Sequence, residues 1–249
     1  MTADDHHPGP WLQSRRLRLR EFCWNDGFNL VRMHEDSRVR ELLVDDEPLD
    51  SLERAFAFIR FVQKTYEQRP GLGIWAAEQM RATLSKADLQ RVEVRESLSD
   101  EALERAAIAR PRFVGWFNLM PMSSRPEEVE LGSRLKAEVW GSGFAIEGGE
   151  MLLDHAFGSL GRERVFAVSH VDHRSARFVV TTLGFSDAGI QDYCGVPAQH
   201  YCIEKEQWFL WRRLSRRQRK RHAIVASNSG KTAFSSNMQP ALSSQEFEL

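Results

Sequence analysis

The stretch EVWGSGFAIEGGEMLLDHAF, residues 138–157, places Gly141 and Gly143 immediately before a segment with helical spacing of apolar residues. Glycine is the poorest helix former among the ordinary residues, but it tolerates left-handed backbone and lets a chain approach a ligand closely. The two glycines therefore predict either a plain tight turn or a turn that holds a ligand at the start of the helix. A helix N-terminus offers unpaired N–H groups and partial positive charge, so the ligand expected in the second case is a phosphate.

Strand and helix patterns alternate on both sides of this stretch. Residues 13–22, QSRRLRLREF, alternate with period 2 as a half-buried strand does, and Asp50 with Glu53 predicts the start of a helix over residues 49–68. Gly132 is expected to mark a bulge in one of the later strands. The remaining patterns predict strands at 72–80, 112–120, 127–135 and 164–171, a helix at 174–185, and a closing hairpin from 185–193 and 200–209. This order predicts an α/β (α+β) domain on a mixed sheet.

Composition divides the chain into three parts. Residues 1–11 are predicted to be a flexible N-terminus, and residues 12–210 a folded domain in which the polar segment 81–111 is a surface insertion. Residues 211–249 are basic and then rich in Ser, Asn and Gln, so they are predicted to be a disordered tail. From Trp211 onward there are eight basic and two acidic residues, a balance of +6, while the rest has 26 basic and 33 acidic residues, a balance of −7.

The sequence also argues against several classes of protein. No apolar run reaches the roughly 18 residues of a membrane helix, and the N-terminus MTADDHHPG has no signal-peptide pattern. Cys23, Cys194 and Cys202 have no metal-type spacing, which favours free thiols in the cytoplasm. The segment HVDH at 170–173 has no third His or Cys at useful spacing, so no metal site is expected.

Five segments, taken in order, resemble the GCN5-related N-acetyltransferases (GNAT) and, within them, the ribosomal-protein N-terminal acetyltransferases. The likeness covers roughly residues 12–208 without the insertion. It implies the GNAT fold, a mixed, mostly antiparallel central sheet flanked by helices, with a V-shaped splay between the two central strands. The matching segments are SRRLRLREF (14–22), FVGWFNL (113–119), VELGSRL with EVWGSGFAIEGGE (129–150), LGRERVFAVSHVDHRSARFVVTTLGF (160–185) and HYCIEKEQW (200–208).

The resemblance implies acetyl-CoA as the donor and no metal. Backbone groups near Ser133 and Leu135 would pair with the amides of the pantetheine arm. Glu138 stands where much of the superfamily has a basic or amide residue, which would weaken the attraction for phosphate. The pyrophosphate would lie against the backbone N–H groups of the glycine turn, which are those of Gly141, Ser142, Gly143, Phe144 and Ala145.

Acetyl transfer to an amine needs a base, because a protonated amine has no lone pair with which to attack the thioester. The resemblance places Glu130 as that base, although Glu128 and Glu130 share one strand face and either could be a solvent-facing charge. His173 and Ala176 fall where the family has Asn and Ser. His173 is therefore a candidate for hydrogen bonding or proton transfer, or else a tolerated polar substitute, and Ala176 leaves the acid that protonates the thiolate unassigned.

The acceptor expected first from the resemblance is a protein N-terminal α-amino group. A small amine, such as an amino acid, an antibiotic or an aminoacyl conjugate, is the alternative, and a non-catalytic acyl-CoA-binding module is another. The basic tail is expected to associate weakly with RNA, the ribosome or an acidic protein, or to be only a solvated extension. The sequence is compatible with a monomer or a homodimer and predicts no membrane contact.

Overall fold

The computed structural model describes residues 11–41, 43–44, 48–80, 111–122 and 125–229. The predicted flexible N-terminus, except Trp11, lies outside these residues. The same holds for the predicted insertion up to residue 110 and for the last 20 residues of the tail.

Eight strands of the described part form one sheet in the order β1-β2-β3-β4-β5-β6-β8-β7. Neighbouring strands are antiparallel except β5 and β6, which are parallel. The predicted mixed, mostly antiparallel sheet is thereby confirmed. The strands are β1 (Leu12–Gln13), β2 (Leu17–Arg20), β3 (Gly73–Gln79), β4 (Arg112–Pro121), β5 (Val129–Leu135), β6 (Arg164–His170), β7 (Ser186–Tyr193) and β8 (Val196–Glu204).

Helices cover both faces of the sheet, and two apolar cores result. Strand β4 contributes to both cores. Phe117 and Leu119 belong to one core, and Trp116, on the alternate face, belongs to the other. Phe113 also joins the second core, because the register with β3 shifts between Ala77 and Glu78. The first core is closed by α4 (Phe144–Asp154), α5 (Arg174–Leu183) and α6 (Lys205–Arg212), with α7 (Arg216–Ser229) packed on α5. The second is closed by α1 (Asp26–Glu35), α2 (Ser37–Arg40) and α3 (Leu52–Gln68).

The parallel strands β5 and β6 separate soon after they meet. Only Val129 pairs with Val165 and Glu130 with Phe166, although each strand is seven residues long. The carboxyl-terminal halves of both strands therefore diverge, which is the V-shaped splay expected from the resemblance. Ligands of open α/β sheets bind at such carboxyl ends, so the splay directs attention to the segments that follow β5 and β6.

Two local predictions were wrong. The pairing of β4 with β5 runs through Gly132 without a register shift; the glycine is needed because a Cβ there would lie 2.5 Å from Oδ1 of Asn118. At the start of α3, the cap is Ser51 rather than Asp50, since the Ser51 hydroxyl accepts a hydrogen bond from the backbone N–H of Arg54 at 3.3 Å.

The start of the predicted disordered tail is also corrected. Strand β8 ends at Glu204, the predicted hairpin strand continues as α6, and after a turn at residues 213–215 the second helix α7 extends to Ser229. Trp208, Trp211 and Arg219 are at most 2% exposed. The basic composition predicted disorder because it shows the charges of the tail without their partners. In the structure, Arg216 and Arg219 of α7 form ion pairs with the buried Glu150 of α4.

Candidate functional site

The glycine turn lies between β5 and α4, on the side of the splay. Gly141 and Gly143 have φ angles of +75° and +84°, in the left-handed region that favours glycine. A Cβ built on Gly141 would meet nothing within 4 Å. The backbone conformation, and not crowding by the protein, is therefore the reason for glycine at this position, and the turn stays open to a ligand.

The amide groups of this turn suit an anion. The hydroxyl of Ser142 donates to the carbonyl of Val139 at 2.5 Å and accepts from the N–H of Phe144 at 3.4 Å. Among the described residues, no acceptor is found for the N–H groups of Gly141, Gly143 and Ala145. They lie at the N-terminus of α4, where the helix dipole adds partial positive charge, so the turn can receive phosphate oxygens.

A cation reaches the turn from a distant part of the chain. Arg16, between β1 and β2, donates from Nη1 to the carbonyl of Ser142 at 3.1 Å, and its guanidinium lies 4.8 Å from the centroid of the Phe144 ring. Glu138 instead pairs with Arg112 at 3.3 Å on the surface. The positive charge that the local motif lacks is thus supplied by Arg16. The sequence analysis did not identify this role of Arg16, because Arg16 is one of several arginines in a segment with a strand pattern.

Helix α4 lies close to the sheet because of two further glycines. A Cβ on Gly148 would lie 2.2 Å from the ring of Phe117 on β4, and one on Gly149 would lie 2.6 Å from Leu183 on α5. Both glycines are buried. Their absent side chains fix the distance of α4, and with it the glycine turn, from β4 and α5.

Ser133 and Leu135 lie on β5 beyond its last pair with β6. Ser133 is exposed, whereas Leu135 is buried in the core below α4. The carbonyl of Leu135 accepts a hydrogen bond from the indole N–H of Trp140 at 2.9 Å. Strand β5 therefore presents its free edge towards the opening from Leu131 onward, and Trp140 fixes the path of the chain into the glycine turn.

Glu130 is the last residue of β5 that pairs with β6, so the two strands begin to separate at this position. It pairs with Phe166 across β6 and with Met120 across β4, and it is partly buried. Glu128 shares its strand face but lies 2.8 Å from both Arg125 and Arg164 in ion pairs. Of the two carboxylates that the sequence left open, Glu130 is the one at the apex of the splay.

The sheet face that carries Glu130 also carries polar groups from α1. His34 is fully buried; its Nδ1 donates to the carbonyl of Leu30 at 2.8 Å and its Nε2 accepts from Nη1 of Arg134 at 2.9 Å. Arg134 lies 4.8 Å from the ring centroid of Trp116. His34 therefore helps to orient the guanidinium of Arg134 over the sheet.

His200 was missed by sequence reasoning. It lies on β8 opposite Val168, on the face shared with Phe166 and Glu130, and is 4% exposed. Within the described residues neither of its ring nitrogens has a hydrogen-bond partner. Burial, together with the charge of Arg125, lowers the pKa of His200. It is a neutral imidazole with an unused donor and acceptor, and nothing in the local sequence distinguishes it from a core residue.

His173 caps α5. Its Nδ1 accepts from the N–H of Ala176 at 3.4 Å and lies 3.1 Å from the hydroxyl of Ser175. Burial, and next the charge of His170, lowers its pKa. Glu130 pairs with Phe166, which lies about 13 Å along β6 from His170, and His173 follows the end of β6. The backbone positions of the two predicted catalytic residues are therefore well separated along the strand.

In the described part of the chain, no group of three or more His, Cys, Asp or Glu side chains could hold a metal ion. The same residues include no helix that is long and apolar enough to span a membrane. In the HVDH segment, Nδ1 of His170 accepts from the N–H of Asp172 at 3.2 Å. The histidines of this segment thus serve a turn and a helix cap.

Two relatives are acetyltransferases by name. The chain is 28% identical over 115 residues to the FsC-acetyl coenzyme A-N(2)-transacetylase of Aspergillus fumigatus, an alignment of 40% of this chain that spans about half (49%) of that protein. It is 21% identical over 181 residues to the uncharacterized N-acetyltransferase YoaA of Bacillus subtilis, covering 73% of this chain and 85% of YoaA.

Solved structures share the fold. The Mycobacterium smegmatis RimJ complex with CoA-disulfide has a TM-score of 0.57 at 14% identity, covering 85% of this chain and 89% of RimJ. The ribosomal L7/L12 alpha-N-protein acetyltransferase RimL, solved with coenzyme A, has a TM-score of 0.58 at 12% identity, and the match covers 80% of this chain and 99% of RimL. The profile of the acetyltransferase (GNAT) domain matches residues 16–186. The chain therefore belongs to the GNAT acetyltransferase family and carries an acetyl-CoA-dependent N-acetyltransferase domain.

Proposed function

We propose that this protein acetylates a protein N-terminal α-amino group, in the manner of the ribosomal-protein subgroup of the family. The observation that carries the reaction is the position of Glu130 at the apex of the splay, on the sheet face opposite to the core that α4 closes. The fold likeness to RimL, the ribosomal L7/L12 alpha-N-protein acetyltransferase, supports this acceptor.

The donor is held mainly by the backbone in this proposal. The pyrophosphate lies against the N–H groups of Gly141 to Ala145, and Arg16 supplies a charge beside it. The pantetheine arm follows the free edge of β5 past Ser133 and Leu135 into the V. Hydrogen bonds from preorganised N–H groups hold an anion without side-chain rearrangement, so this site tolerates much side-chain variation.

Transfer takes place by direct attack. Glu130 accepts a proton from the acceptor ammonium, directly or through a water molecule, and the freed nitrogen lone pair attacks the thioester carbonyl. The attached nitrogen releases its second proton to solvent, and the tetrahedral intermediate collapses with cleavage of the C–S bond. The CoA thiolate takes up a proton from solvent, because Ala176 has none to give. The products are an acetamide and CoA thiol.

Small amines are the second class of acceptor. The name of the Aspergillus relative, an N(2)-transacetylase, supports this alternative. The buried, neutral His200 lies on the acceptor face, and its imidazole can donate a hydrogen bond to the carbonyl or carboxylate of an acceptor. Both a peptide and an amino acid possess such a group.

A thiol-release screen tests the acceptor class. Acetyl-CoA is mixed with N-terminal peptides, amino acids, polyamines and aminoglycosides, and free CoA thiol is measured. Release with peptides that carry a free α-amine, and none with the same peptides after N-terminal blocking, is the expected result. Release confined to small amines would overturn the peptide proposal, and thermal stabilisation by acetyl-CoA without release from any acceptor would indicate a binding module.

We further propose a weak tail association with RNA. Among the described residues, Arg213, Arg217, Lys220 and Arg221 have no ion-pair partner, and the last three lie on one face of α7 by helical spacing. A phosphate backbone would bind them with an affinity that falls steeply with salt. Retention on an RNA matrix that is unchanged by removal of these charges would count against it.

A further inference from the structure

Helix α7 lies beyond the residues matched to the acetyltransferase domain, yet it contacts the helix that carries the glycine turn. We propose that Arg216 and Arg219 of α7 are positioning residues for acetyl-CoA, which act on the glycine turn through Glu150, Glu147 and Arg16. This inference rests on the donor site proposed above, and the experiments below separate the failure of one from the failure of the other.

The first link joins α7 to α4. Glu150 lies in the second turn of α4, and its side chain is 3% exposed. It accepts from Nε of Arg216 at 3.0 Å and also from Nη2 of Arg216 and Nη2 of Arg219. Arg219 is itself only 1% exposed. An ionised carboxylate is not stable in such a position without cationic partners, so the docking of α7 and the charge of Glu150 depend on each other.

The second link joins α4 to the glycine turn. Glu147, in the first turn of α4, accepts from Nε of Arg16 at 2.8 Å and from the hydroxyl of Ser14 at 2.5 Å, and it lies 3.6 Å from Nη1 of Arg216. Arg16 in turn donates to the carbonyl of Ser142. One carboxylate is therefore shared by α7 and by the arginine that holds the turn.

Charge explains why these links matter for the donor. The three carboxylates Glu147, Glu150 and Asp154 of α4, against Arg16 and Arg212, would leave a net charge of −1 along α4. Arg216 and Arg219 change this balance to +1. The pyrophosphate of the donor is anionic and would lie at this N-terminus, so an undocked α7 would place it beside uncompensated carboxylates.

The carboxylates are ionised in the docked state. Burial alone would raise the pKa of Glu150, but hydrogen bonds from Arg216 and Arg219 and their charges hold it below the usual range. Burial acts in the same direction on Glu147, and there Ser14 and Arg16 outweigh it. The negative charges are therefore present at neutral pH and must be balanced by the arginines.

Steady-state kinetics of Arg216→Gln test the proposal. The Arg216 side chain is 44% exposed, so the variant is expected to fold. The KM for acetyl-CoA should rise about 5- to 10-fold, within the usual range for coupled sites, while kcat and the KM for the acceptor stay within twofold. Arg216→Lys should recover part of the loss because it keeps the charge. Arg60→Gln, an exposed arginine on α3, is the control for loss of a surface charge and should leave the KM for acetyl-CoA unchanged.

Linkage gives a second test that needs no turnover. If docked α7 favours acetyl-CoA, then acetyl-CoA must favour docked α7 by the same factor. Trypsin cleavage after Arg217, Lys220 and Arg221, followed by mass spectrometry, should therefore slow about 5- to 10-fold at saturating acetyl-CoA in the wild-type protein. Unchanged cleavage rates, although acetyl-CoA raises the melting temperature of the domain, would overturn the proposal.

Gly141→Ala separates the two assignments. The new methyl group meets no atom within 4 Å but strains a residue with φ of +75°, so it alters the turn itself. A raised KM for acetyl-CoA in Gly141→Ala together with an unchanged KM in Arg216→Gln would overturn the role of α7 alone. An unchanged KM in Gly141→Ala would overturn the donor site on which the inference rests.

Discussion

In the proposed reaction, Glu130 is the residue on which the chemistry depends most directly. It lies where β5 and β6 separate, and the neighbouring acidic residue on its face, Glu128, is held by Arg125 and Arg164. The main chain of Glu130 lies at the apex of the splay, where an amine would approach the thioester in the proposed reaction, whereas Glu128 lies before the first pair of β5 with β6. The structure therefore favours one of the two glutamates that strand periodicity left equivalent.

Replacement of Glu130 by Gln should lower kcat by at least about 100-fold, because general-base catalysis contributes roughly 10²- to 10⁴-fold. The amide has nearly the same shape but cannot take the proton. The thermal shift produced by acetyl-CoA should be unchanged. The rate is measured by thiol release at saturating donor, with Glu128→Gln as the control.

That control distinguishes chemistry from folding. Glu128→Gln removes two surface-side ion pairs and should lower the melting temperature with little change in kcat. If the two variants lose activity equally, or if Glu130→Gln keeps full activity, the assignment of the base is wrong.

Arg16 shows what the sequence could not reveal at the scale of single residues. The glycine turn was recognised from a local motif, and Glu130 was proposed from the resemblance of one contiguous segment, so both depend on neighbours in the chain. Arg16 acts on Ser142 across 126 positions of sequence, and its strand pattern carries no sign of this contact. The same is true of His200, whose unpaired ring nitrogens are visible only once β6, β7 and β8 are assembled.

At the scale of elements, His173 has a definite task as the cap of α5. Its Nδ1 accepts from the N–H of Ala176, which requires the neutral ring. His173→Ala should therefore destabilise the protein by about 1 kcal/mol, the usual cost of a lost cap, and His173→Asn should restore most of it. Chemical denaturation at pH 8 measures both.

The pH dependence of this cap has a defined sign. The pKa of His173 is lowered in the folded protein, so the folded state binds fewer protons than the unfolded state. Its stabilising contribution is complete above about pH 6.5 and is lost as the pH falls through that value. His173→Asn should lack this loss, and a stability curve of the same slope in both proteins between pH 7 and 5 would contradict the assignment.

Helix α7 was the largest error of the sequence interpretation, since basic composition predicted disorder. The buried pair of Glu150 and Arg219 explains the difference, because each residue is stable inside only with the other. Elements that bury apolar stripes, such as α3 and α4, were predicted from their own periodicity. An element held by charges on another helix has no such signature.

Removal of one member of this pair should be costly. Glu150→Ala leaves Arg219 buried without its partner, so the free energy of unfolding should fall by about 3 kcal/mol. The double variant Glu150→Leu with Arg219→Leu should recover most of this loss, because apolar replacement of a buried pair is often neutral. Urea unfolding of the three proteins measures the effect, and a double variant as unstable as the single one would contradict it.

At the scale of the whole molecule, one buried ion cluster joins the first part of the chain to the sheet. Arg20 on β2 lies 2.7 Å from Oδ2 of Asp26 at the start of α1 and 2.9 Å from Oε1 of Glu78 on β3. Arg20 and Asp26 are each 1% exposed. The general fold was predictable from alternating patterns and motif order, but this cluster was not, since Asp26 lies in a segment whose sequence signals only a helix start.

This cluster should make the protein sensitive to acid. Burial alone would raise the pKa of Asp26, but the hydrogen bond and charge of Arg20 hold it below the usual range. The folded state therefore binds fewer protons than the unfolded state, and the stabilising contribution is present above about pH 4 and lost as the pH falls below it.

Asp26→Asn should be less stable at pH 7 by about 2 kcal/mol, the value of a charge-assisted hydrogen bond, and should show a shallower loss of stability below pH 4. Asp172→Asn, whose side chain is 82% exposed, is the control and should follow the wild type throughout. Urea unfolding measured at intervals from pH 7 to 3 decides the matter, because an acid transition of unchanged slope in Asp26→Asn would mean that other carboxylates govern the acid response.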